Sequence, residues 1–312
     1  MRVLFVAALP PERSSMVGRI LPLAQEVRVA GHGHAVEILT LSGSRRMPYT
    51  DRREVEGVRL RTVGPALRAT EDVHPNPVKA LPRFLAGQAA LARALSTAKA
   101  DVIVLAKPQP QNTFPVLSWV ERRAAPLVVD LDDRETEASR LPARARGAIA
   151  RLEIQALEQA SVVTAASPAL SEYARTIHPT ARVEFLPTGI RVPLTVPPAR
   201  LREQLGLAPD AKLIVYIGSL SIASGHRVDT LLEAFSGLTD SIPSAHLVLA
   251  GDGIDAARLR RQAEASSRRH RIHFLGRFTP PEDIALAREA DLLVDPVDRS
   301  LTNEAKSSHR VL

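Results

Sequence analysis

Along this chain, short runs of β-branched and aliphatic residues alternate with longer stretches whose apolar positions recur at three- and four-residue spacing. The first half predicts strands at Val3–Ala8, Ala35–Leu39, Val58–Val63, Val102–Ala106, Leu127–Asp130, Val162–Ala166 and Val183–Leu186. Helical patterns at Met16–Ala30, Val78–Ser96, Thr113–Arg123, Ala143–Ala160 and Pro168–Thr176 fall between them. Strands that read as continuous apolar runs are covered on both faces, and strands separated by helices join as parallel crossovers. The pattern therefore predicts a doubly wound α/β domain.

The alternation breaks at "LPTGIRVPLTVPPARLREQLGL", Leu186–Leu207, which is rich in proline and lacks an apolar period. Proline fixes φ and removes backbone donors, so this segment reads as a hinge or linker. A second alternation follows: strands at Leu213–Ile217, His246–Ala250, Ile272–Leu275 and Leu292–Asp295, with helices at Val228–Leu238, Ala256–Arg269 and Pro281–Arg288. A doubly wound domain usually has five or six strands, so the second one is expected to be incomplete. The predicted division is 1–190 for the first domain, 191–209 for the linker and 210–312 for the second. Two such domains on a hinge are expected to face each other across a cleft, with ligands outside the carboxyl ends of the strands. The final stretch, "LTNEAKSSHRVL", reads from Ser307 to Leu312 as the first turn and a half of another helix.

Composition narrows the class. At 312 residues and 45% hydrophobic, the chain can fill two domain-sized cores. Its apolar runs are strand-length, too short to span a bilayer. "MRVLFVAAL" reads as a first buried strand and not a leader, because a double proline follows it and no small-residue cleavage site does. The absence of cysteine removes disulfides, thiolate metal sites and thiol nucleophiles, which suits a cytoplasmic protein.

Five of the 41 basic residues are lysine, and the net charge is +7. That balance favours phosphates, nucleic acid or an acidic membrane, although arginine-rich solvated faces give the same sum. Nucleic acid is not expected, since no recognition motif appears and aromatic residues are scarce. Arg140, Arg144, Arg146 and Arg151 flank the apolar stripe Leu141, Ala145, Ala148, Ile149 and Leu152. That stripe suits peripheral contact with an anionic membrane at its inner face, and equally an ordinary solvated helix.

Candidate chemistry lies in the strand-end loops. After the first strand, "LPPERSSMVGRI" offers Ser14 or Ser15 as a helix cap or ligand contact, and Gly18 for close backbone approach. No G-x-G-x-x-G occurs, which argues against a nicotinamide or flavin enzyme. "VVDLDDRE" places Asp130, Asp132 and Asp133 at a strand's carboxyl end. There they could bind a cation, act as a base or accept sugar hydroxyls, or simply cap a helix and pair with Arg134. In the second half, Gly218, Ser219, Ser224 and Gly225 leave room for amides to face an anion at a helix N-terminus, with His226 and Arg227 adding positive charge. Gly251 and Gly253 flank Asp252 in a second tight turn.

Together, "VYIGSLSIASGHRVDTLLEAF", "HLVLAGDGIDAARL", "IHFLGRF", "ALAREADLLVDPVD" and "NEAKSSHRVL" resemble, in order and spacing, the donor-binding half of the retaining GT-B glycosyltransferases of family 4. "KPQPQNTFPVLSWVERRAAPLVVDLDD" resembles the acceptor-side half of one subgroup. The resemblance implies a nucleoside-diphosphate sugar as donor, a glycan, lipid-linked or small-molecule acceptor such as a cell-envelope precursor, transfer with retention, and no cofactor or required metal. It implies donor contacts from Gly218, Ser219, Gly225, His226, Arg227, Gly251, Gly253, Arg277, Phe278, Asn303 and Glu304. Acceptor contacts would come from Ser14, Ser15, Gly18 and Asp130, and catalytic roles from Asp132, Asp133 and Lys306. Two departures stand out: Ser219 where the family often has arginine, and His226 near its usual lysine. The family's ribose-binding glutamate would align just beyond Leu312, so the resemblance implies a C-terminally truncated enzyme. A non-catalytic nucleotide-sugar-binding fragment and an epimerase on the same fold are the alternatives.

Overall fold

The computed structural model describes residues 1–31, 33–67, 77–138, 143–189, 195–222, 225–278 and 281–306. The chain divides into two compact units, Met1–Gly189 and Ile190–Asn303, with residues 304–306 counted to the first. The helix expected at Ser307–Leu312 lies outside the described residues, as do Ser224, Arg140, Leu141 and the first part of the predicted linker.

The first unit is built on strands β1 (Arg2–Ala7), β2 (Ala35–Ser42), β3 (Asp51–Val55), β4 (Val58–Pro65), β5 (Val102–Ala106), β6 (Leu127–Leu131), β7 (Val162–Ala165) and β8 (Arg182–Phe185). They form one eight-stranded sheet in the order β3-β4-β2-β1-β5-β6-β7-β8, parallel throughout except for β3. Helices α1 (Leu21–Ala30), α2 (Pro77–Ser96), α3 (Pro110–Arg123), α4 (Glu135–Ala138), α5 (Ala143–Glu158) and α6 (Pro168–Ile177) connect them.

Apolar side chains alternate across the sheet into two cores. Val3, Phe5, Ile38 and Val104 pack on one face with Ile20 and Ala24, while Leu4, Val6, Leu105 and Val129 pack on the other with Leu91, Trp119 and Leu157. That double coverage explains why β1 and β5 read as unbroken apolar runs.

Strand β3 was not expected. Its sequence, DRREV, has no apolar alternation because it is an exposed edge, and charged edges resist pairing with other chains. The two-residue turn Glu56-Gly57, with φ of 48° and 80°, joins it to β4 in the mirror-image geometry that tight hairpins favour. Helix α3 starts three residues earlier than predicted, with proline at its first turn and a reciprocal cap between Gln109 and Asn112. On α5, Ile149 is buried, so the stripe proposed for a membrane is turned at least partly inward.

The second unit has strands β9 (Lys212–Ile217), β10 (Ala245–Ala250), β11 (Ile272–Gly276) and β12 (Leu292–Leu293), all parallel, in the order β11-β10-β9-β12. Its helices are α7 (Leu201–Gln204), α8 (Val228–Ser241), α9 (Ala256–Glu264), α10 (Glu282–Glu289) and α11 (Leu301–Glu304). Helix α9 ends at Glu264, short of the predicted Arg269, and a separate 3₁₀ turn covers Arg269–Arg271. Leu201 of α7, expected in the linker, is fully buried against Leu213, Val215 and Leu286, so the core of this unit begins before its first strand. Among the described residues no helix is long and apolar enough to cross a membrane.

Candidate active site

In the first sheet the order of strands reverses direction between β1 and β5, and ligands of doubly wound sheets bind outside the carboxyl ends at such a point. Lys107 follows β5 directly, in the left-handed conformation at φ 52°. A non-glycine residue held there signals a position fixed by its surroundings. The fixing is visible: the Lys107 amide donates to the Asp130 carbonyl at 3.0 Å. Asn112 Nδ2 donates to the carbonyls of Val6 at 3.2 Å, Ala106 at 3.0 Å and Lys107 at 3.2 Å.

The Lys107 ammonium, with its side chain 7% exposed, contacts Asp133 Oδ2, and reaches Asp132 Oδ2 at 3.3 Å, Glu135 Oε1 at 3.4 Å and Ser15 Oγ at 3.5 Å. Gln109 Nε2 donates to the other Glu135 oxygen at 2.9 Å. Burial alone would depress the lysine's pKa, but the Glu135, Asp133 and Asp132 carboxylates outweigh it and hold the ammonium protonated well above the usual lysine range. For Asp132 burial pushes upward, yet attraction to Lys107 and a hydrogen bond from Ser15 leave it below the usual carboxylate value. Glu135 goes the other way: burial raises it, and Lys107 compensates only in part. Asp132 and Asp133 are 14% and 24% exposed, so both side chains remain partly open to solvent.

The end of this loop is anchored from α5. Buried Glu153 accepts from both the amide and the hydroxyl of Thr136, each at 3.0 Å. Arg134 lies 4.3 Å from the centre of the Tyr173 ring, a cation–π contact in place of the predicted carboxylate pairing.

In the second unit, the loop after β9 carries Gly218, Ser219, Gly225, His226 and Arg227 into α8. The amides of Gly218, Leu220, Gly225 and Arg227 already donate to the carbonyls of Ala250, Asp252, Ile222 and Pro296 at 2.7–3.0 Å. Ser219 retains an amide without a partner among the described residues, and it is partly exposed. Arg227, at the N-terminus of α8, pairs with Asp229 at 3.0 Å and is 40% exposed.

Family models match both units: "Glycosyl transferase 4-like domain" over residues 18–189 and "Glycosyl transferases group 1" over residues 199–304. The chain belongs to the group 1 glycosyltransferases. It is similar in fold to sucrose-phosphate synthase of Thermosynechococcus elongatus, at 18% identity and TM-score 0.66, covering 96% of this chain and 77% of that one. It is also similar to HepE of Anabaena, solved with UDP, at 18% identity and TM-score 0.61, covering 95% and 74%. The lipopolysaccharide outer core galactosyltransferase WaaB matches at 12% identity and TM-score 0.61, covering 95% and 74%. No curated protein sequence matches the chain. The two Rossmann-like units are those of the GT-B fold.

Within this glycosyltransferase the predicted site residues separate into groups. Asp132, Asp133 and Ser15 converge on Lys107. Asp130 does not join them: its side chain is 1% exposed, Arg19 donates to both of its oxygens at 3.0 and 2.7 Å, and Thr164 donates at 2.7 Å. An acceptor cannot reach it, so its place is structural. The same Arg19 donates to the Leu186 carbonyl at 2.9 Å and Thr188 Oγ1 at 3.3 Å, fastening the exit of β8. Ser15 makes no cap, because the backbone is helical already from Ser14 and passes into a π-helical turn at Met16–Ile20. Ser14 is exposed on that turn, and half-buried Gly18 has open space where a side chain would stand.

Of the donor-side residues, Gly251 and Gly253 are required by the packing of the loop itself. A Cβ on Gly251 would stand 1.8 Å from the Gly218 carbonyl oxygen, and one on Gly253 would stand 2.5 Å from that of Leu220. Gly251→Ala is therefore expected to destabilise the second unit by about 1–3 kcal/mol, the usual range for overpacking. Fluorescence of Trp119, in the first core, should show that unit melting as in the wild type.

His226 is buried between the Tyr216 ring, 6.4 Å between centroids, and Asp295, 3.9 Å away, which turns it from the solvent-facing phosphate contact expected of it. Gly225 packs on Asn303, whose amide donates to the Gly225 carbonyl at 3.1 Å and to Asp298 Oδ1 at 2.6 Å. Asn303 thus locks the loop. Arg277 is exposed and Phe278 is half-buried against the core of the second unit. Glu304 is exposed, and Lys306 is half-buried.

Lys107, Glu135 and Arg19 were not singled out by sequence. Lys107 carried one available signal, a lone lysine directly after a strand in a chain with five lysines among 41 basic residues. Among the described residues no group of three His, Cys, Asp or Glu is arranged to hold a metal ion.

Proposed function

We propose that this glycosyltransferase moves a sugar, with retention, from a nucleoside-diphosphate sugar to a hydroxyl of a glycan, lipid-linked or small-molecule acceptor. The observation that carries the reading is the Lys107 cluster. It fixes two partly exposed carboxylates at the switch point of the first sheet, ready to accept hydrogen bonds from hydroxyl groups. A carboxylate held below its usual pKa stays ionised and is a weak base, so Asp132 suits orientation of hydroxyls better than removal of their protons.

Charge building on the departing diphosphate needs donors fixed in advance. The Ser219 amide, Arg227 and the N-terminus of α8 supply them in the second unit. The leaving phosphate itself takes the acceptor proton in this scheme, and no protein base is required. Complexes of HepE with UDP and with UDP-glucose support a uridine nucleotide as the first donor to try.

Thermal unfolding with UDP, GDP and ADP, each free and as its sugar conjugate, tests the donor side. A ligand at about a hundred times its dissociation constant adds about 2.7 kcal/mol to stability. One nucleotide should raise the midpoint, and Arg227→Ala should reduce that rise. No shift with any nucleotide would remove the donor assignment, and donor turnover that needs no acceptor would favour an epimerase.

A further inference from the structure

The first unit has a second concavity, none of whose lining residues belongs to the Lys107 cluster. The antiparallel ribbon β3–β4 and the C-terminal half of α2 enclose a groove of about 1040 Å³. This is at the upper end of the range of small-molecule sites. Its wall on the helix side is preformed: Gly64 lets α2 approach so closely that a Cβ there would stand 2.6 Å from that of Ala90. Gln111 Nε2 holds the same helix by donating to the carbonyls of Pro65 at 3.2 Å and Phe84 at 3.1 Å.

Three arginines line this groove, Arg52 and Arg61 from the ribbon and Arg93 from the helix, with one carboxylate, Asp51, whose Oδ1 accepts from the Arg52 amide at 2.8 Å. Arg52 and Arg61 stand directly opposite each other in the antiparallel register, so their side chains share one face. Like charges in that position repel and destabilise a strand pair. Glu37, 3.3 Å from Arg61, offsets one of them. Arg52 and Arg93 have no ion-pair partner among the described residues. The ribbon thus holds a repulsion that an anion would relieve.

Apart from Arg93, the helix wall is lined by Ala86, Ala89, Ala90 and Ala94 with Thr97 at its end, and an exposed apolar ridge runs on from it past the groove. Along α2 the ridge of every fourth residue runs Leu81, Leu85, Ala89, Arg93, and Leu81 and Leu85 are 60% and 54% exposed. From Arg93 to Leu81 this ridge extends for about 18 Å. Cations alone would fit any anion. A cationic end joined to a long apolar strip fits a molecule with an anionic head and a hydrocarbon chain.

We infer that this groove binds a lipid monophosphate, its phosphate meeting Arg52 and Arg93 and its chain lying along α2 toward Leu85 and Leu81. The inference stands on the groove and does not depend on the transfer chemistry proposed above.

Isothermal titration of the full chain with dodecyl phosphate below its micellar concentration tests it, with inorganic phosphate and dodecyl maltoside as the two part-ligands. Dodecyl phosphate should bind once per chain, and each part-ligand at least about tenfold more weakly. Arg52→Glu with Arg93→Glu should weaken binding by about a hundredfold, two charge-assisted contacts being lost. Ala89→Trp, at an exposed position on the groove wall, should block it. Ala89→Trp should keep the wild-type unfolding midpoint and the double charge reversal should match or exceed it, since Glu at 52 faces Arg61, which separates loss of the site from loss of the fold. Inorganic phosphate or dodecyl maltoside binding as tightly as dodecyl phosphate would overturn the inference. So would unchanged affinity in the double charge reversal.

Discussion

Replacing Lys107 with methionine is expected to lower kcat by at least about a hundredfold, the penalty for misplaced reacting groups. It should also remove about 3–5 kcal/mol of stability from the first unit, as removal of one partner from a buried ionic cluster does. Methionine fills the same space, so the loss would be electrostatic and not a cavity. The lysine holds three carboxyl groups together across the β5–α3 and β6–α4 connections, and without it Asp132, Asp133 and Glu135 face one another.

The pH dependence gives this prediction its sign. In the wild type, Asp132 lies below its unfolded pKa, so its contribution is present above the usual carboxylate range and is lost as pH falls through the folded value. Lys107 lies above its unfolded pKa, so its contribution persists across neutral pH and is lost only far into alkali. Glu135 lies above its unfolded pKa and contributes most at low pH, losing that as pH rises through its folded value. In the methionine variant burial acts on Asp132 and Glu135 without the opposing charge of the lysine, with the hydrogen bonds from Ser15 and Gln109 still against it, and both shift toward protonation. The gap in stability between wild type and variant should therefore narrow as pH is lowered from 7 to 5. Urea denaturation at several pH values measures it, and a gap independent of pH would contradict the electrostatic account.

Asp130→Ala carries the second large effect, about 3–5 kcal/mol of stability lost from the first unit. The change strands the Arg19 guanidinium, which is as buried as its partner, and frees Thr164. Trp119 is the one tryptophan of the chain and sits in the first core, so its fluorescence follows that unit alone. A role in holding acceptor predicts the opposite pattern: an unchanged midpoint with weaker acceptor binding. The two outcomes distinguish a structural ion pair from a binding residue.

The fold was legible wherever burial is two-sided. Strands β1, β5 and β6 announce themselves as apolar runs because helices cover both faces. Edge strand β3 did not, since an exposed ribbon needs no apolar residue and only its Glu56-Gly57 turn marks it. At the site, the three aspartates at the end of β6 were visible, but their different fates were not. Asp130 still lies within the strand and points into packed structure, whereas Asp132 and Asp133 have left it. Lys107 stayed hidden because its partners come from the β1 and β6 connections, and no spacing in sequence brings Ser15, Lys107 and Asp133 together. The glycines after β9 and β10 read as ligand-approach positions. Gly251 and Gly253 are there because two loops pack backbone to backbone, a contact between segments more than 30 residues apart.

The measurement that bears most directly on the account is release of nucleoside diphosphate from a panel of UDP-, GDP- and ADP-sugars, with wild type and Lys107→Met side by side. The account predicts that the wild type turns over one donor class in the presence of a suitable acceptor. The variant should bind that donor with the same affinity, since Lys107 lies in the other unit, and turn it over at least about a hundredfold more slowly. Equal turnover by the two proteins, or a variant that loses donor binding while keeping its rate at saturation, would contradict it.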